Sequence, residues 1–220
     1  MYIKTGFLFL LVFRQATVYS VYLQNMAKPN IGKLFEFMSL MGQLKRVKRT
    51  GWVLRNVAGP ESVSDHMYRM AAFSFLVDPE SGLNREKCIK LSLVHDMAES
   101  IVGDLTPADR VDKSEKQLRE EFAMKHISDL VSEDLGKELF SLWEEYEHQT
   151  SPEAVFVKDL DKFEMIFQAH EYEQLAKKPG SLQEFFDSTK GKFQTTQVQE
   201  WVKELEITRE KYEKDEAENT

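Results

Sequence analysis

Residues 93–107 read LVHDMAESIVGDLTP. Leu93, Val94, Met97, Ile101 and Val102 recur three and four residues apart, the spacing of a helix face turned toward a core. Among them the sequence sets His95, Asp96 and Glu99, with Asp104 following Gly103 ahead of a turn-forming Leu-Thr-Pro. His95 and Glu99 stand at i and i+4 on one side of a helix, and Asp96 lies about 100° round from His95. Burying an imidazole beside two carboxylates costs several kcal/mol unless a cation compensates. A divalent metal ion is the simplest such cation. Histidine with carboxylates suits Mn, Fe, Co, Zn or Mg, and the absence of thiolates argues against a structural zinc site.

The flanking pattern is helical. Asn84 can cap a helix from about 85 to 102 that contains the motif. Upstream, Ile31, Leu34, Phe35, Met38, Met41 and Leu44 form one apolar stripe, which the basic stretch KRVKRTGWVLRNV (residues 45–57) breaks. Ser62 or Ser64 can cap the helix that carries His66. Downstream, GDLTPADRVDK (103–113) reads as a loop, Ser114 starts a helix through about Val131, and residues 135–149 form another. Ser151, Pro152 and Glu153 signal the start of a helix to about Lys177. Ser181 and Glu184 make a capping-box pattern. The last helix, from about Thr195, ends in the charged EKYEKDEAENT (210–220), which is expected to fray. No stretch alternates convincingly as a strand would. The fold class is all-α.

One helix cannot fill a metal's coordination shell. VSDHMYRM (63–70) offers His66, 29 residues before His95. VKDLDKFEMIF (157–167) offers Asp161, with Asp159 and Glu164 as charged neighbours. Asp161 lies nearer the inward side marked by Leu160, Phe163 and Phe167. Together His66, His95, Asp96 and Asp161 would hold one ion and leave positions open for water and substrate, as catalysis requires. His126, His148 and His170 sit among charges and read as surface or satisfied core residues.

The 220 residues, 42% hydrophobic, suffice for one sizeable core and are few for two. A net charge of −8 without a Lys/Arg block argues against long nucleic acids as partners. A small anionic substrate stays compatible with a locally cationic metal pocket. Cys88, the single cysteine, reads as a buried helix thiol.

The order H, HD, D on amphipathic helices resembles the HD-domain metal-dependent phosphohydrolases. RTGWVLRNV (49–57), PESVSDHMYRMA (60–71), LVHDMAESIVGDLTP, VKDLDKFEMI (157–166) and QAHEYE (168–173) narrow the likeness to the 5′-deoxynucleotidase branch, over about residues 30–205. The resemblance implies a single HD-domain helical bundle around a buried divalent metal (Mn, Co, Mg or Zn), ligated by His66, His95, Asp96 and Asp161. It implies a general acid/base role for Glu99 toward a metal-activated water and places Asp104 at the deoxyribose hydroxyl. Arg49 is implied as the phosphate ligand and Trp52 as the residue crowding the sugar edge. In bacterial members the arginine directly precedes the tryptophan; here Thr50-Gly51 intervenes, and Arg55 rivals Arg49. The implied reaction is hydrolysis of a deoxyribonucleoside 5′-monophosphate to deoxynucleoside and phosphate, by a homodimer. Alternatives are an HD phosphohydrolase acting on a dNTP, a cyclic dinucleotide or an alarmone, or a non-catalytic metal-binding helical module.

These readings divide the chain into an N-terminal extension (1–25), the HD domain (26–207) and a charged C-terminal tail (208–220). Residues 1–35 lack Asp and Glu and carry Lys4, Arg14, Lys28 and Lys33 around the apolar run FLFLLVF (7–13). That run falls far short of the ~20 residues that span a bilayer, so no membrane partner is expected. A signal sequence, a transit peptide or an alternative start at Met26 all fit, Met26 being preferred. The domain reads as cytoplasmic, with the N-terminal segment leaving mitochondrial or secretory targeting open.

Overall fold

Ser62, Asn84 and Ser151 each end a loop and start a helix. Ser62 Oγ accepts from the Asp65 N–H while Asp65 accepts from the Ser62 N–H, a closed capping box. Asn84 accepts from the Lys87 N–H, and Ser151 from the Ala154 N–H with Pro152 at the first helical position. The computed structural model describes residues 30–218; the extension expected at 1–25 lies outside them. Its helices are α1 (Ile31–Leu44), α2 (Thr50–Leu54), α3 (Val63–Phe73), α4 (Arg85–Val94), α5 (Glu99–Val102), α6 (Lys113–Asp129), α7 (Glu133–His148), α8 (Pro152–Ala176), α9 (Gln183–Thr189) and α10 (Thr196–Glu218). Among the described residues extended pairing is confined to a bridge between Lys48 and Ser62. The fold is all-α, and no helix among these residues is long and apolar enough to cross a membrane.

The core is built on α8, which packs against α3, α4, α7, α9 and α10. Its Phe156, Val157, Leu160, Ile166 and Ala169 are buried, each large side chain contributing about 1.5–3 kcal/mol by leaving water. A second cluster joins Val94 to Met124, Ile127 and Trp143. There α6 and α7 come close because Gly136 has no side chain: a Cβ would stand 2.4 Å from the Ser128 carbonyl oxygen. The core thus holds α3 and α8, which carry His66 and Asp161, and α4, whose C-terminal end is His95.

The apolar stripe expected on α1 is only partly inward. Ile31, Phe35 and Met38 are exposed, while Phe37, Leu40, Met41 and Leu44 make the packing contacts. The Ser181–Glu184 capping box does not form either: Leu182 precedes α9 without a side-chain cap, and Glu184 is bound to Arg55. At the C-terminus the expected fraying gives way to helix through Glu218, anchored by a buried Arg209. Cys88 is buried, and burial pushes its thiol up to about 12.

Candidate active site

The helix expected to run from 85 to 102 breaks inside the HD motif. Beyond Val94 the N–H groups of Met97, Glu99, Ser100 and Ile101 bond three residues back rather than four. Side chains three apart eclipse in that tighter winding, so Asp96 and Glu99 fall on one side of the chain, next to His95. His95 Nδ1 lies 2.9 Å from the Ser92 carbonyl oxygen. A carbonyl only accepts, so Nδ1 holds the proton and Nε2 keeps its lone pair. His66 is oriented in the same way by Glu164 of α8, whose Oε2 lies 2.5 Å from Nδ1.

Both Nε2 atoms are buried without a hydrogen-bond partner. Such atoms cost about 1–3 kcal/mol each when left unpaired, so the pair calls for a cation. The ligand atoms of His66, His95 and Asp96 all lie within 4.8 Å of one another. Asp161 approaches from α8, its Oδ1 3.3 Å from His66 Nε2 and its Oδ2 accepting from the Tyr146 hydroxyl at 2.7 Å. Two imidazole nitrogens and carboxylate oxygens, without a thiolate, fit a divalent ion. Glu61, His66 and Glu164 form another close grouping, but Glu61 accepts from the Trp52 indole and Glu164 holds the His66 ring. Asp159 points elsewhere, its Oδ2 accepting from the Gln194 and Thr195 N–H groups ahead of α10.

Arg49 is set over this cluster by its backbone. Its N–H bonds the Glu61 carbonyl and the Val63 N–H bonds the Val47 carbonyl, which pins residues 47–49 against the start of α3. The guanidinium stands 3.5 Å from Asp96 and 3.9 Å from Asp161. Burial opposes its charge, but Asp96, Asp161, Asp104 and Glu99 outweigh burial and raise its pKa. Arg55 is held away from the cluster by two bonds to Glu184, at 2.5 and 2.6 Å. Trp52 is 1% exposed and packs on Tyr172 and Phe185. Gly103, at φ +77°, turns the chain so that Asp104 Oδ2 accepts the Thr50 N–H at 2.5 Å.

Electrostatics divides the acids. Burial disfavours ionised Asp96, yet His95, Arg49 and His66 hold it well below the usual carboxylate range. Asp161 is likewise lowered against burial by Lys158, His66 and His95. Glu99 goes the other way: burial, then Asp96 and Asp104, push it well above that range, against the pull of Arg49 and Lys116. Its Oε2 is buried and unpartnered. For His66, burial and Arg49 pull down while Glu164 and Asp161 push harder, raising it to about 9, so its Nε2 takes up either a proton or a metal cation. Arg49, His95, Asp96, Glu99, Asp104 and Asp161 all line one cleft of about 380 Å³.

Residues 41–201 match the HD domain family. The chain belongs to that family. A relative of this HD domain, the mouse (Mus musculus) protein named 5′-deoxynucleotidase HDDC2, is 61% identical over 176 residues, covering 80% of this chain and 88% of that protein. The solved structure of the Saccharomyces cerevisiae HD domain-containing protein YGK1 aligns with a TM-score of 0.65 at 31% identity, over 86% of this chain and 92% of that one. A conserved hypothetical protein from Pyrococcus furiosus aligns with a TM-score of 0.63 at 30% identity, over 82% and 99%.

Sequence reasoning passed over several residues that support the HD site. Glu164 was visible only as a charged neighbour of Asp161, although it lies one helical turn beyond it and is fully buried. Tyr146 is buried in the core, and its hydroxyl donates to Asp161 and accepts from Lys158 Nζ at 2.9 Å. Lys116 reaches the loop after Asp104, with Nζ 3.1 Å from the Leu105 carbonyl oxygen.

Proposed function

We propose that this HD domain is a divalent-metal-dependent 5′-deoxynucleotidase, hydrolysing deoxyribonucleoside 5′-monophosphates to deoxynucleoside and phosphate. The observation that carries the reading is a donor set of metal type facing a partly buried arginine and a carboxyl group of raised pKa in one cleft. Relatives named 5′-deoxynucleotidase HDDC2, at 57–61% identity over about four-fifths of the chain, support the substrate class.

In this reading His66, His95, Asp96 and Asp161 would hold a divalent ion such as Mn, Co, Mg or Zn. When bound, a divalent ion supplies positive charge to the phosphoryl oxygens and acidifies a water molecule. Arg49 turns from Asp96 and Asp161 to the phosphate, which carries about two negative charges near neutral pH, and can meet two of its oxygens at once. Glu99 accepts the proton of the attacking water as the new O–P bond forms. It returns a proton to the 5′ oxygen as the P–O5′ bond breaks, a task for which a raised pKa suits it. Asp104, its Oδ2 committed to Thr50, offers Oδ1 to a deoxyribose hydroxyl. Trp52 backs the sugar edge and limits room for a 2′-hydroxyl.

Purified protein with Co²⁺ or Mn²⁺ is expected to release phosphate from dAMP or dGMP and much less from AMP. Equal rates on the two sugars would refute the sugar selectivity, and no release with any of the four metals would refute the activity. Inorganic phosphate rather than triphosphate as the product separates this reaction from dNTP hydrolysis. The working unit is proposed to be a homodimer, supported by the uncovered apolar residues Ile31, Phe35 and Met38 of α1. Chromatography with light scattering at micromolar protein tests it.

A further inference from the structure

Trp52 lies inside a loop that residue 61 closes. The Arg49 N–H donates to the Glu61 carbonyl oxygen at 3.1 Å and Lys48 pairs with Ser62, so the two ends of the segment are stitched together with α2 between them. Within that loop the indole Nε1–H donates to Glu61 Oε1 at 2.9 Å. We infer that Glu61 is a positioning residue for the proposed reaction, its carboxylate setting the Trp52 ring where it discriminates against a 2′-hydroxyl. The inference rests on the 5′-deoxynucleotidase reading and adds to it a determinant of sugar selectivity outside the proposed metal ligands and the phosphate-binding arginine.

Ring packing alone leaves the indole a freedom that this bond removes. Tyr172 meets Trp52 edge-on with ring centroids 5.4 Å apart, and Phe185 lies against it at 4.4 Å with the planes inclined by 41°. Such contacts are satisfied over a range of offsets and centroid distances, so they fix the ring's plane more than its slide within that plane. A hydrogen bond is directional, and the indole has a single N–H to donate. Glu61 also governs the packing. Its backbone N–H donates to the Tyr172 hydroxyl at 2.8 Å, which ties the edge-on ring to the same residue.

Burial makes the bond consequential. Trp52 is sealed from solvent, so its N–H has no water to turn to. A buried donor stripped of its acceptor carries a desolvation penalty, which the ring relieves by turning. Glu61 stands close to His66 and Glu164 as well, but those two are bonded to each other, which leaves the indole as the side chain bonded to the Glu61 carboxylate. The bonds to Arg49 and Tyr172 are made by the backbone of residue 61, and any side chain there keeps them. A substitution at 61 therefore acts on the Trp52 indole while Arg49 and Tyr172 stay on their anchors.

The test measures kcat/KM for dAMP and for AMP in the Mn²⁺-loaded full-length protein and takes their ratio. Glu61→Ala removes the acceptor. Glu61→Leu removes it while filling the space, and decides the matter if the first variant does not fold. In both, the dAMP/AMP ratio is expected to fall about tenfold, whereas Glu61→Gln, whose amide oxygen still accepts from the indole, keeps the wild-type ratio. In a Trp52→Phe background, which has no indole N–H, Glu61→Ala is expected to leave the ratio where Trp52→Phe alone puts it. An unchanged ratio in a folded variant without the acceptor would overturn the inference, including the case where both substrates lose activity by one common factor. So would a Glu61→Gln ratio as low as that of Glu61→Ala, or a further fall in the Trp52→Phe background. Wild-type protein that releases no phosphate, or that hydrolyses dAMP and AMP at equal rates, would instead overturn the parent reading, and this inference with it.

Discussion

Glu164 Oε2 lies 2.5 Å from His66 Nδ1, and both side chains are sealed from solvent. Arg69 grips the other carboxylate oxygen through Nε at 2.7 Å and Nη2 at 2.5 Å, and reaches Gln168 and Glu171 beyond it. The chain of contacts fixes the imidazole's tautomer and its ring plane. A carboxylate behind a histidine also makes the far nitrogen a stronger donor to a metal.

Removing that carboxylate leaves His66 free to turn or to shift its proton. Glu164→Gln is expected to weaken Mn²⁺ or Co²⁺ binding by about 10- to 100-fold, read by isothermal titration calorimetry without substrate. Binding as tight as in the wild type would mean that His66 needs no orienting partner.

Glu99 calls for the opposite pattern. Glu99→Gln preserves the side chain's shape and removes its titrating group, and Glu99 is outside the proposed ligand set. Metal binding is therefore expected to survive while kcat falls by about 10²- to 10⁴-fold. A variant that loses the metal as well would place Glu99 among the ligands instead of at the water.

What could be read ahead of the structure follows the range of the interaction involved. A cap is a bond between residues two or three apart, so the starts at Ser62, Asn84 and Ser151 were legible in their own neighbourhoods. The H, HD, D order was legible because metal-type residues are rare on apolar helix faces. Glu184 shows the limit: its local pattern points to a cap, but Arg55, 129 positions away, binds it through Nε and Nη2. The break between α4 and α5 also escaped, since the apolar spacing of residues 93–102 suits a continuous helix and the tighter turn equally well. On α1, periodicity marked apolar residues without saying which of them face the core.

The charged segment after residue 207 gives a stability test. Arg209 is buried and bonds Glu173 through Nε at 2.8 Å and Nη2 at 3.0 Å, while its guanidinium lies 4.1 Å from the Phe186 ring centroid. Glu173, itself fully buried, also accepts the Leu182 N–H that leads into α9. Ending the chain at residue 207, the domain boundary expected from sequence, would leave that carboxylate without its cation, at a cost of about 3–5 kcal/mol. A chain ending at residue 207 is expected to unfold at clearly lower urea than the full-length protein. Equal midpoints would show that the pair contributes nothing net.

Glu120, on α6 at the edge of the metal-type cleft, gives a stability effect that depends on pH. Burial raises its pKa, Lys116 at 3.5 Å opposes, and Glu147 and Asp96 add to the rise, which takes it from an ordinary 4.5 to about 7. The folded protein thus binds this proton more tightly than the unfolded chain does. Folding carries no penalty from Glu120 while the group stays protonated in both states, below about pH 4. The penalty then grows as pH rises through the interval between the two pKa values, and is constant above the folded one. Glu120→Gln abolishes the ionisation and should remove the penalty. Its stability relative to the wild type is therefore expected to rise by on the order of 2 kcal/mol between pH 5 and pH 8, measured by urea unfolding of metal-free protein. A difference that does not change with pH would assign the effect of Glu120 to its contacts with Lys116 instead of to its proton.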